Sequence, residues 1–316
     1  MARPGRKKRT ALFIVEIICL LLFIGGLYVY GQIDSRLNKI ETPQLDESKI
    51  VTNVTAPQMS GYTTYALFGI DQRSKNAALD AQNSDTIIIA SINNDTKEVK
   101  LASVYRDTLL DIGNDTYTKA NAAYAYGGPE QAISMLNTML DLKITDYVTV
   151  NFNAMVAAID ALGGLDIELK SSELDKLNQC IDEQQRVNGI QSTYVYDTGV
   201  VHLDGVQATA YARIRSTDQG DITRAWRQRK VISLMIEKAK SAGISKLNDC
   251  LNAVVDDISS SLTKKEIMDL ATNCFNYKLE SSTGFPFTWS TPTLGSKGSL
   301  VAAGDLENNV VVLHRY

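Results

Sequence analysis

The sequence predicts an α/β protein: a three-layer α/β/α domain with a central mixed β-sheet, preceded by one N-terminal transmembrane helix. Three observations predict it. A 20-residue apolar run at 11–30 follows a basic tail, apolar β-branched segments cluster between 65 and 105, and from about 129 to 169 helical and strand periodicities alternate. With 316 residues and 44% hydrophobic side chains, the chain is long and apolar enough to bury a full core.

The first element is ALFIVEIICLLLFIGGLYVY, residues 11–30, behind ARPGRKKR. At about 1.5 Å per residue it makes a helix of about 30 Å, the thickness of a bilayer's hydrocarbon core. A cleavable signal peptide and a buried soluble helix are the alternatives. A signal peptide would carry a shorter apolar region and a small-residue cleavage site, whereas this run ends in Leu27, Tyr28, Val29 and Tyr30, which suits an interfacial anchor. Glu16 lies near the basic end, within reach of the headgroups. By the positive-inside rule, residues 1–10 are a cytoplasmic tail and everything beyond the span is extracellular: a single-pass cell-membrane protein. Residues 31–60 are polar with two prolines and read as a stalk; 61–316 form the extracellular domain.

In that domain YALFGID (65–71), DTIIIASIN (85–93) and VKLASVY (99–105) are strands, the last two joined through the hairpin signal NNDTKE. PEQAISMLNTMLDL (129–142) has helical spacing and YVTVNF (147–152) reads as strand. NAMVAAIDALGG is a helix stopped by Gly163 and Gly164, and LDIEL (165–169) is a strand. Residues 221–242 and 244–277 read as mainly helical, and 285–316 as mostly extended.

Composition narrows the chemistry. With His202 and His314 the only histidines, zinc sites and histidine triads are hard to build, and the G-x-S-x-G and P-loop patterns are absent. Beyond the span lie Cys180, Cys250 and Cys274; Cys250 with Cys274 is the candidate pair, and three buried thiols the equal alternative.

One stretch asks for a local explanation. YARIRSTDQGDITRAWRQRK, residues 211–230, holds Arg213, Arg215, Arg224, Arg227, Arg229 and Lys230. The first thirty residues take five of the 32 basic and one of the 36 acidic side chains, which leaves the remainder at −8, so the cluster is no by-product of a basic composition. Asp221 is a candidate N-cap, placing Arg224 at the third helical position with Gln228 one turn on and Arg227 beside them. Arg213 and Arg215 would point the same way from an extended segment. Convergent guanidinium forks at a helix N-terminus suit a phosphate or pyrophosphate; the bland alternative is a solvated basic face, against which stands the use of Arg rather than Lys at five of six positions. A second constellation is acidic. Asp71 follows the first strand, Asp85 opens the second, and Arg106-Asp107 ends the third, with Arg73 beyond Asp71. Taken singly each Asp is a turn cap; with the arginines they suit a divalent ion bridging phosphate oxygens.

GIDQR (69–73), SDTIIIASIN (84–93), SVYRDT (103–108), KANAAYAYGG (119–128), NF..M...IDALGGLDIEL (151–169) and HLDGVQATAYARIR…GDITRAWRQR (202–229) form an ordered series covering over half the chain. The series resembles the LytR-CpsA-Psr family of Gram-positive envelope proteins. The resemblance implies a phosphotransferase that moves a glycopolymer, such as teichoic acid or capsule, from a polyprenyl-pyrophosphate carrier to peptidoglycan, with Mg²⁺ or Mn²⁺ and an α/β/α mixed-sheet fold. It implies metal carboxylates at Asp71 and Asp85, an essential Arg106, and pyrophosphate-binding residues at Arg213, Arg215, Arg224 and Gln228. Arg73, Lys119, Asn121, Tyr124, Asp221 and Arg227 match further polar positions, with Arg73 and Arg227 grouped with the pyrophosphate ligands. Asp107 is the candidate proton acceptor. Two departures stand out: Tyr105, where many relatives have proline, and an end at VVVLHRY, beyond which relatives usually continue. A non-catalytic binder of lipid-linked wall polymers and a polyprenyl-pyrophosphate pyrophosphatase are the alternatives; the acidic ectodomain and exterior topology exclude a nucleic-acid partner. An apolar lipid pocket between the sheet and a helix is expected, lined by Ile133, Leu136, Leu140 and Val156, for which core packing is the rival role.

Overall fold

The computed structural model describes residues 60–70, 82–215, 220–273, 275–293 and 299–316, with 35, 39–40, 43 and 45–52 before them. The basic tail and the span at 11–30 lie outside the described residues, as do Asp71, Arg73 and Cys274.

Six strands form the central mixed sheet: β1 (Tyr62–Ile70), β2 (Ser84–Asn93), β3 (Glu98–Val104), β6 (Asp146–Asn151), β9 (Ile258–Ser260) and β10 (Lys278–Phe285), in the order β10-β3-β2-β1-β6-β9. β1 runs parallel to β6 and β3 to β10, while β2 is antiparallel to both β1 and β3. The NNDTKE segment is the β2–β3 hairpin, as its composition predicts.

Strand alternation divides the side chains between two faces. Phe68, Ile70, Ile87, Ile89, Ala102 and Val104 pack on one face against α1 (Ala122–Leu140), whose Ile133, Leu136 and Leu140 are fully buried. Leu67, Ile88 and Leu101 face the other way, toward Ile232 of α5 (Asp221–Val254). That second face also carries α2 (Phe152–Leu162) and α4 (Gly205–Arg213), so helices cover both sides of the sheet. α3 (Ser171–Asn188) and the antiparallel β7–β8 pair (Leu165–Leu169 with Gly199–Leu203), whose connection contains α3, close a second core with α2 and α4. Two further small pairs, β4–β5 (Leu109–Asp111 with Tyr117–Lys119) and β11–β12 (Trp289–Ser290 with Ala302–Ala303), flank the sheet; α6 (Lys264–Thr272) and α7 (Leu306–Arg315) complete the chain. Residues 45–52, placed in the stalk by composition, lie on α1: Val51 N–H donates to Ser134 Oγ at 3.1 Å, and Leu45 and Ile50 pack on its core.

The helix expected to stop at Gly163 does so, with φ 85° at its cap, a conformation glycine adopts without strain. One expectation fails. The region after 285 is not mostly extended, because Leu306–Arg315 is helical: Asp305 caps it at 3.0 Å, and Leu306, Val310 and Leu313 pack on the core at helical spacing. Its VVVL reads as strand locally, and tertiary packing overrides that preference. The expected division between 221–242 and 244–277 falls at Gly243, where the backbone of α5 is non-helical, and the second segment is mainly helical as expected, interrupted by the short strand β9 before α6. Cys180 and Cys250 are free thiols.

Tyr105 fits through a close approach. Its N–H donates to Phe285 O at 3.0 Å, a bond proline could not make, and its hydroxyl would clash with a Cβ on Gly284. Gly284→Ala is therefore expected to destabilise the protein by about 1–3 kcal/mol, read as a lowered thermal midpoint.

Candidate active site

Because β1, β3, β6 and β10 are parallel and β2 opposes them, the carboxyl ends of β1, β3 and β6 and the amino end of β2 share one edge of the sheet. Such edges collect binding groups, since loops from neighbouring strands converge there. β2 delivers Asp85, and the chain leaving β3 delivers Arg106 and Asp107. Arg106 Nη1 donates to Asp85 Oδ1, and Arg106 Nε lies 3.5 Å from Asp107 Oδ1, which Lys119 Nζ approaches to 3.0 Å.

Two more arginines reach Asp85 from distant sequence. Arg224, in the first turns of α5 and almost fully buried, places Nη2 3.4 Å from Asp85 O. Arg215 Nη2 stands 3.5 Å from Asp85 Oδ2 with half of its side chain open to solvent. Three guanidinium groups and Lys119 thus face two carboxylates. The surplus positive charge, partly withdrawn from water, is what an anion with several oxygens would neutralise.

Arg213 approaches from a helix end. It is the last residue of α4 rather than part of an extended segment, so it diverges from Arg215: its guanidinium stacks over the Phe152 ring at 4.7 Å and contacts Glu183 Oε1 at 3.4 Å. A cation at a helix's carboxyl end also complements the dipole. Gln228, one turn beyond Arg224, lines the same cavity as Arg213. α5 begins at Asp221, and the cap position falls on Gly220, with φ 60°.

The remaining expected residues sit beneath this cluster. Arg227 is 2% exposed and hydrogen-bonded to Glu173 and to Ile214 O. Asn121 is buried, its N–H donating to Arg106 O at 3.0 Å and its C=O accepting from Ser84 at 3.3 Å, a backbone staple between β2 and the Arg106 turn. Tyr124 is in the core, with its hydroxyl 2.9 Å from Thr149 Oγ1 and its ring edge-on to Phe68. Arg229, part of the arginine run, is a buried cation whose Nε and Nη1 find no hydrogen-bond partner among the described residues, and sequence reasoning missed Glu173 and Glu183 of α3 and the ring of Phe152. No local signal marks these, since each acts across the fold.

Behind the cluster lies a cavity of about 310 Å³ on the α2/α4/α5 face. Leu67, Ile88, Val148, Met155, Val231 and Met235 make it apolar; Arg213, Gln228 and Thr86, the neighbour of Asp85, put its polar groups beside the arginines. The expected pocket residues do not line it. Ile133, Leu136 and Leu140 are α1's own buried side chains on the opposite face of the sheet, and Val156 belongs to the second core, so all four take the core role.

A cation fits the described half of the site in a limited sense. Among the described residues no three acidic, histidine or cysteine side chains cluster. Asp85 nonetheless offers a partly exposed carboxylate beside the arginines, and Mg²⁺ binds through one or two carboxylates plus substrate phosphate oxygens.

Residues 27–283 match the LytR_cpsA_psr family. The chain belongs to the LytR-CpsA-Psr family. Among its relatives is a Bacillus mycoides protein named polyisoprenyl-teichoic acid–peptidoglycan teichoic acid transferase TagU, 29% identical over 278 residues that cover 85% of this chain and 84% of the relative. The fold is also that of solved family structures. TagT bound to LI-WTA matches with a TM-score of 0.66 at 24% identity, over 86% of this chain and 96% of that one. YwtF (TagT) with bound octaprenyl pyrophosphate lipid matches with a TM-score of 0.61 at 22% identity, over 86% and 96%.

Proposed function

We propose that this family member transfers a glycopolymer from a polyprenyl-pyrophosphate carrier to peptidoglycan and releases polyprenyl phosphate. The observation that carries the reading is the apolar cavity of about 310 Å³ whose polar groups, Arg213 and Gln228, adjoin the Asp85, Arg106, Arg215 and Arg224 cluster: one ligand with a greasy tail and a doubly anionic head satisfies both. The transferase name carried by the relative from Bacillus mycoides supports it, with a polymer of the teichoic acid type.

In this reading an acceptor hydroxyl attacks the phosphorus bonded to the sugar. A new P–O bond forms, the bond from that phosphorus to the bridging oxygen breaks, and polyprenyl phosphate departs with the electron pair. Charge grows on the bridging and non-bridging oxygens, where the guanidinium groups of Arg106, Arg215 and Arg224 are already held. Asp107, anchored by Lys119 and Arg106, takes the hydroxyl proton. Bound Mg²⁺ or Mn²⁺, held by Asp85 together with Asp71, would supply further neutralisation of phosphate charge. Arg73 joins the pyrophosphate ligands. Residues 11–30 anchor the protein in the cell membrane with the domain outside, which places the site where donor lipid and wall acceptor meet.

The test is release of polyprenyl phosphate and transfer of sugar phosphate by the full chain, given a synthetic polyprenyl-pyrophosphoryl sugar and a peptidoglycan oligomer. Chelation is expected to abolish transfer and added Mg²⁺ to restore it, while Asp85→Asn lowers the rate by about 10²-fold even at high Mg²⁺. Release that is indifferent to the acceptor would make the protein a pyrophosphatase, and donor binding without turnover would make it a carrier.

A further inference from the structure

α3 supplies no residue expected at the site, yet its carboxylates face the arginine run. Glu173, in its first turn, accepts at Oε1 from Arg227 Nε at 3.1 Å and Nη2 at 2.8 Å, and at Oε2 from the Lys170 N–H at 3.0 Å. Arg227 Nη1 donates to Ile214 O at 3.1 Å. Both side chains are buried, at 3% and 7% exposure. The Tyr211 ring lies 5.6 Å from the Arg227 guanidinium, and burial pushes its phenol up to about 12, so it stays neutral and adds no second negative charge there. Ile214 is the buried residue at which the chain leaves α4, with Arg213 on one side of it and Arg215 on the other.

We infer that Glu173 and Arg227 form a strut that sets where Arg213 and Arg215 stand: Glu173 is a positioning residue for the pyrophosphate clamp, and Arg227 acts on the Ile214 carbonyl rather than on substrate. Three physical points carry this. The Arg227 fork is committed in two directions to protein groups, and Glu173 neutralises its charge. A planar fork can hold a carboxylate and a carbonyl at once, which a lysine ammonium on a flexible stem cannot do with fixed geometry. And a buried ion pair adds little net stability over an apolar pair of similar volume, so its worth lies in the geometry it imposes on the turn.

The proposal rests on the transferase reading for its rate measurement, while binding of a prenyl pyrophosphate is measured separately. The full-length protein in detergent is titrated with geranylgeranyl pyrophosphate and assayed for polyprenyl phosphate release. Glu173→Gln is expected to weaken binding and to slow turnover by about tenfold or more, because a shift of the clamp by a fraction of an ångström is costly. Arg227→Gln should do the same, and the double variant should be no worse than the worse single, the mark of two groups acting as one. Tighter binding by Glu173→Gln would mean that Arg227, released, reaches the pyrophosphate, and would overturn the proposal. So would additive losses dominated by Arg227→Gln. Glu173→Leu with Arg227→Met guards against misfolding. It should keep or raise the thermal midpoint and stay slow; recovery of the wild-type rate would show that the pair matters for stability alone and would sink the strut. If the wild type turns over no donor the transferase reading fails, while the binding cycle still decides this one.

Discussion

Arg106→Ala is expected to lower the transfer rate by about 10²–10³-fold, the cost of removing one preorganised donor from a site where charge develops. Arg106 is the residue through which the two carboxylates of the site communicate, since it donates to Asp85 and lies against Asp107. Its loss therefore removes a cation aimed at the phosphates and also leaves two partly buried carboxylates facing the donor's own negative charge. Arg106→Lys should recover little, because an ammonium cannot meet both carboxylates at fixed angles. Turnover of the polyprenyl-pyrophosphoryl sugar is the measurement, with the thermal midpoint taken alongside. A loss below threefold in a folded variant would remove Arg106 from the chemistry.

Closing the cavity is expected to have the second large effect. Ala212, on α4, lines the cavity beside Arg213, where an indole would occupy the space that the proposed function assigns to the prenyl chain. Each CH₂ kept in water costs about 0.8 kcal/mol, so excluding even one isoprene unit costs more than a factor of ten. Ala212→Trp should lower kcat/KM for a long-chain donor by about 10²-fold or more while inorganic pyrophosphate, which needs no cavity, binds as before. Equal losses for both ligands would show that the substitution disturbed the arginines instead, and no loss would place the lipid elsewhere.

Much of the fold was legible because its local signals agree with its tertiary context. The run of Ile in 85–93 and the periodicity of 129–140 are read correctly since burial demands the same patterns that propensity favours. Leu306–Arg315 was misread for the opposite reason: three consecutive valines prefer a strand, and only the core beneath Leu306, Val310 and Leu313 makes a helix the better solution. The pocket residues failed similarly. Ile133, Leu136 and Leu140 have the apolar spacing of a pocket wall and of a core face alike, and which face of the sheet a helix covers is not written in its own periodicity.

What the sequence by itself determined is chemical inventory and order: an arginine run in an acidic domain, carboxylates at strand ends, and a motif series specific enough to name a family. Asp85 and Arg106 could be paired on paper because they end neighbouring strands of one hairpin. The tertiary structure alone decided which group each arginine meets. Arg215 and Arg224 reach Asp85 across more than a hundred residues, Arg213 turns to Phe152 and Glu183, and Arg227 is claimed by Glu173. Which acceptor a guanidinium fork meets depends on distance and angle, and both are set by the packing of α3, α4 and α5 on the sheet rather than by spacing along the chain.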